Sequence, residues 1–61
     1  MSANMYTGQL VKGDIVQFAN DRATVDNVTP VDGDSQRMRV TWDDGTCSVY
    51  HREARFAVAN A

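Results

Sequence analysis

The chain has 61 residues, room for one domain, with six basic and eight acidic side chains and a net charge of −2. A single cysteine excludes an internal disulfide, and one histidine with one cysteine excludes a structural zinc site of four ligands. The acidic balance argues against a dedicated nucleic-acid binder, which carries a basic field, and no apolar run approaches the ~18 residues of a membrane span.

A domain of this size buries only about 60% of the surface its unfolded chain exposes. With no disulfide or metal to staple it, association into a homo-oligomer is one route to further burial. The first residues, MSANMYTGQLVKG, have neither a basic region nor a continuous apolar stretch and do not read as a secretory signal. Together with the lone thiol this points to a reducing, cytoplasmic setting.

Residues 1–9 are polar and read as a flexible or loosely docked segment, with Tyr6 the side chain suited to docking. Residues 10–61 read as the domain. Gly13-Asp14 break the chain before a strand from Ile15 to Phe18, in which Val16 and Phe18 share a face. Asn20 and Asp21 suit a tight turn. A second strand over residues 23–30 is rich in β-branched side chains. Its inward residues, Val25 and Val28, are three apart, which predicts a bulge near Asp26-Asn27; Pro30 is expected to end it. Residues 31–36 are turn-formers. Residues 37–42 alternate cleanly, with Met38, Val40 and Trp42 inward and Arg37, Arg39 and Thr41 outward. Asp44-Gly45 is a strong hairpin signal, and residues 46–51 return. After a short turn at 52–54, "RFAVAN" supplies a last strand. In the only segment that competes as a helix, residues 48–61, the apolar positions make no stripe at a period of 3.6.

If Asp44-Gly45 form a two-residue turn, Arg39 lies opposite Tyr50, Val40 opposite Val49, Trp42 opposite Cys47 and Arg37 opposite Arg52. The inner face then collects Met38, Val40, Trp42, Cys47 and Val49. The outer face collects Arg37, Arg39, Thr41, Ser48, Tyr50 and Arg52. Four of the six basic residues, at 37, 39, 52 and 55, gather near this face, while the carboxylates fall mostly in or near turns. An acidic chain can therefore present a local cationic and aromatic patch. The plainer reading is an exposed Arg39–Tyr50 cation–π pair worth about 0.5–1 kcal/mol. Trp42 reads as core, or as a half-exposed stacking platform beside the turn. Phe18 and Phe56 read as core, and Cys47 as a small buried apolar residue. A Cys47–His51 dyad is excluded by a separation of ~14 Å along one strand at ~3.4 Å per residue. Neighbouring carboxylates on a turn, such as Asp43 and Asp44, point apart and have a turn reason of their own. No catalytic residue, metal ligand or cofactor motif emerges.

The pattern GDIVQF…ATVDNV…RMRVTWDDGTCSVY…RF resembles small SH3-like barrels of the Tudor and KOW kind over about residues 11–58. The V-x-W-D-D-G hairpin and the KGDIV opening carry the likeness. It implies an all-β fold, a five-stranded SH3-like barrel, whose closure removes exposed edges. In Tudor domains several aromatics form a methyl-lysine cage; Phe18 and Trp42 match such positions, while Cys47 stands where another aromatic would come. KOW modules carry a glycine where this chain has Ala23. Residues 47–50, CSVY, also resemble the closing Val-Gln-Ile-Tyr of the plasmid-borne type II dihydrofolate reductases, which are tetrameric barrels around a shared pore. Tyr50 matches there, Ser48 replaces the glutamine, and the position of their lysine falls near Phe18.

The expectation drawn from all this is a non-enzymatic binding module. Its contact face is Arg37, Arg39, Tyr50 and Arg52, with Trp42 beside it, and it meets an acidic protein or peptide partner through charge-assisted hydrogen bonds and stacking. The alternatives are an RNA- or DNA-binding module using the same face, and an oligomeric pore-type enzyme.

Overall fold

The computed structural model describes residues 3–59. They form six strands: β1 (Ala3–Tyr6), β2 (Ile15–Gln17), β3 (Arg22–Val31), β4 (Asp34–Trp42), β5 (Cys47–His51) and β6 (Arg55–Val58). A 3-10 turn at Thr7–Gln9 is the one helical element among the described residues. All pairings are antiparallel, in the order β1-β6-β2-β3-β4-β5. The fold is thus all-β, but with six strands where the sequence suggests five, and among the described residues the sheet is not closed: β1 and β5 are its two edges.

The extra strand is β1, in the segment read as loosely docked. Its four residues, Ala3 to Tyr6, are too short a run to read as a strand, yet they pair with β6 in the register Met5↔Phe56 and Tyr6↔Arg55. The chain then leaves the sheet. The Thr7 and Gly8 N–H groups donate to the Ala54 and Arg52 carbonyls at 2.8 and 3.2 Å. The fully buried Thr7 hydroxyl donates to the Ala54 carbonyl at 3.0 Å. These bonds tie the 3-10 turn to the β5–β6 connection, where a closed barrel would need a continuous ladder.

The turn before β2 is held by Asp14, whose N–H donates to the Val11 carbonyl (3.1 Å) and whose carboxylate accepts from the Val11 N–H (3.0 Å). Gly13, at φ 96°, supplies the left-handed position. β3 is bulged at Asp26, where the register shifts between Val25↔Trp42 and Asn27↔Thr41, so Val25 and Val28 both face inward as the three-residue spacing requires. Pro30 does not end β3, which runs on to Val31 and turns through Asp32-Gly33 into β4. Proline is tolerated because β2 pairs only with Arg22–Thr24, leaving the far half of β3 with β4 as its one strand neighbour.

Leu10, Val16, Val25, Val40, Trp42 and Val58 are the buried core. Around them runs a chain of edge-to-face rings: Trp42 to Phe18 at 5.7 Å, Phe18 to Phe56 at 6.2 Å, and Phe56 to Tyr50 at 4.8 Å between centroids.

Candidate functional site

The β4–β5 hairpin decides which side chains share a surface. A two-residue type I′ turn needs positive φ at both central residues. Gly45 has φ 89°, but no non-glycine residue among those described has positive φ, so Asp44 is not left-handed. The turn instead takes three residues, Asp43 to Gly45. The Gly45 N–H donates to the Trp42 carbonyl at 3.0 Å and the Trp42 N–H to the Thr46 carbonyl at 2.8 Å, a glycine bulge. The extra residue slips β5 by one position. Thr41 pairs with Cys47, Val40 with Ser48, Arg39 with Val49, Met38 with Tyr50 and Arg37 with His51.

Because side chains alternate with a period of two, that slip exchanges the two faces of β5 while leaving β4 as expected. Tyr50 is half-buried against Phe56 and belongs to the inner side. Cys47 and Val49, expected inside, are exposed on the outer side with Arg37 and Arg39. Trp42 is core and offers no exposed platform. The outer surface of β4 keeps its arginines but has no aromatic ring from β5.

The expected group of site residues is therefore divided. The Arg37 guanidinium is bound to Asp34 at 2.7 Å, an ion pair that answers its charge within β4. The Gln36 N–H, donating to Asp34, and then this guanidinium hold the Asp34 carboxyl below its ordinary value of 3.8. The Arg39 guanidinium has no hydrogen bond or ion pair among the described residues, and the residue stands between Val49 and Thr29 in the sheet. Arg52 lies past the end of β5, its N–H donating to the Gln36 carbonyl at 2.8 Å. Arg52 is not opposite Arg37, so the like-charge pair expected there does not form.

Arg52 instead lines an open cleft of about 360 Å³ with Tyr6, Gly8 and Glu53. Tyr6 reaches it from β1 and Gly8 from the 3-10 turn, held 3.2 Å from the Arg52 carbonyl. Arg55 fixes the Tyr6 ring: its guanidinium lies 5.1 Å from the ring centroid and donates to the Tyr6 hydroxyl at 2.9 Å. The Glu53 N–H donates to His51 Nδ1 at 3.1 Å, which shapes the turn carrying the opposite rim. The cleft is thus lined by an arginine, a glutamate, a glycine and a tyrosine whose ring Arg55 orients. The sequence hinted at it through Tyr6 as a docking side chain and Arg55 among the clustered bases. It could not bring them together, because the β1–β6 pairing that does so has no local signature.

No group of three or more His, Cys, Asp and Glu side chains that could hold a metal ion occurs among the described residues. No helix among them is long and apolar enough to cross a membrane. No known family, curated protein or solved structure matches the chain.

Proposed function

We propose that the chain is a small non-enzymatic binding module, SH3-like in kind, whose contact site is the cleft between Tyr6, Gly8, Arg52 and Glu53. The observation that carries this reading is Arg52, which lines the cleft together with Tyr6 and has no ion-pair partner among the described residues. Arg55 already orients the Tyr6 ring. Arginine in such a place binds carboxylates through paired, charge-assisted hydrogen bonds. Glu53 in the same cleft repels a uniform polyanion, so the charge pattern favours a peptide over a nucleic-acid backbone. The peptide places a carboxylate on Arg52 and an apolar or aromatic group on Tyr6.

The test is an NMR titration with two probes, a capped, otherwise uncharged peptide carrying one glutamate and one tyrosine, and a short single-stranded oligonucleotide. The expected result is saturable shifts at the Tyr6, Gly8 and Arg52 amides with the peptide, lost in Arg52→Ala. Shifts produced by the oligonucleotide alone and vanishing steeply with salt would assign the module to nucleic acid instead. No shift with the peptide at low salt overturns the cleft as a contact site.

A further inference from the structure

We infer that β5 is a self-complementary edge through which two copies of this chain pair, antiparallel, about a two-fold axis at Val49. Among the described residues, β5 is bonded to β4 on one side and to no strand on the other. The hydrogen bonds that bracket the hairpin, Trp42 to Thr46 and Arg52 to Gln36, put residues 46, 48, 50 and 52 at the positions bonded to β4. By the alternation of an antiparallel ladder, the N–H and C=O groups of Cys47, Val49 and His51 point to the open side. The His51 carbonyl is taken by the Ala54 N–H at 2.9 Å and the Arg52 carbonyl by Gly8, which ends the open edge at His51.

Exposed edges are ordinarily protected by lysine, proline, a bulge or a covering element. Cys47–His51 has no proline and no Lys, Arg, Asp or Glu, and Val49 at its centre is 46% exposed. Two such edges complement each other, except that each Cys47 N–H faces a His51 carbonyl already bonded to Ala54. Val49 donates to and accepts from Val49 of the second copy, and each His51 N–H meets the other copy's Cys47 carbonyl. The two Val49 side chains meet on the outer face.

Charge selects both the orientation and the occupant. The acidic turn, Asp43-Asp44, precedes β5 and Arg52 follows it. Antiparallel pairing brings the acidic turn of one copy beside the unpaired Arg52 of the other, twice; parallel pairing would set like ends together. A core of six buried side chains leaves a chain of this size with much to gain from a second copy. The dimer and the cleft share Arg52, and Val49→Asp separates them: it removes the edge pairing and leaves every cleft residue in place.

Sedimentation equilibrium of the full chain reads the association, with circular dichroism as the check on folding. The expected result is a dimer for the parent chain and a folded monomer for Val49→Asp, which sets two like charges opposite each other. A second variant, Cys47→Ser with Val49→Cys, is expected to oxidise to a covalent dimer, since cross-strand Cα atoms in a bonded pair lie about 5.5 Å apart, within disulfide range. A parent chain that stays monomeric at millimolar concentration overturns the inference. So does a dimer that persists in Val49→Asp, or one whose Val49→Cys form does not cross-link.

Discussion

Trp42 and Thr46 face each other across the β4–β5 turn, the Trp42 N–H on the Thr46 carbonyl at 2.8 Å, with Gly45 at φ 89° between them. The bond lets Trp42 enter the core while the carboxylates on its C-terminal side stay in water. Gly45→Ala forces a side chain into the left-handed region, which costs about 1–2 kcal/mol. The midpoint of urea unfolding should fall accordingly, with Gly45→Asn intermediate. An Ala variant as stable as the parent would mean that the turn is not held this way.

Tyr50 against Phe56, 4.8 Å between centroids, makes the register itself testable. Tyr50→Ala removes a packed ring and should cost about 2 kcal/mol or more. Arg39→Ala, on the exposed face, should stay within about 0.5 kcal/mol. The reverse order in denaturant titrations would restore the two-residue turn and the Arg39–Tyr50 pair.

Two carboxyls are held below the ordinary 3.8: Asp44 by the Thr46 hydroxyl and then the Thr46 N–H, and Asp34 by the Gln36 N–H and then Arg37. A depressed carboxyl contributes stability that is fully present above its unfolded value and is lost as pH falls through its folded value. Unfolding midpoints should therefore drop on acidification below 3.8, and Asp44→Asn together with Asp34→Asn should flatten that drop. Both groups are at the surface, so the effect is a change of slope and not a collapse of the fold.

Thr7 is fully buried, and its hydroxyl donates to the Ala54 carbonyl. Thr7→Val keeps the shape and removes one donor while the Thr7 N–H still satisfies the Ala54 carbonyl, so the expected cost is about 0.5–1.5 kcal/mol. Because the 3-10 turn forms one wall of the cleft, amide hydrogen exchange at Gly8 and Leu10 should rise more than at Val40. Uniform change across the sheet would show that the turn does not depend on this bond.

The sequence by itself determined the strand class and the β4 alternation. It also determined the bulge at Asp26, because a two-residue period broken between Val25 and Val28 has one local remedy. The tertiary structure decided the rest. The β4–β5 register rests on whether the left-handed position falls on Gly45 alone or on Asp44 as well, a difference of one residue that reverses every side chain of β5. β1 has four residues, Ala3 to Tyr6, too few to carry a strand signal of their own, and β6 offers it a ladder. Pairing between β1 and β6, which brings together Tyr6 and Arg55 from 49 positions apart, is a property of the assembled sheet, and it opens the cleft beside Arg52.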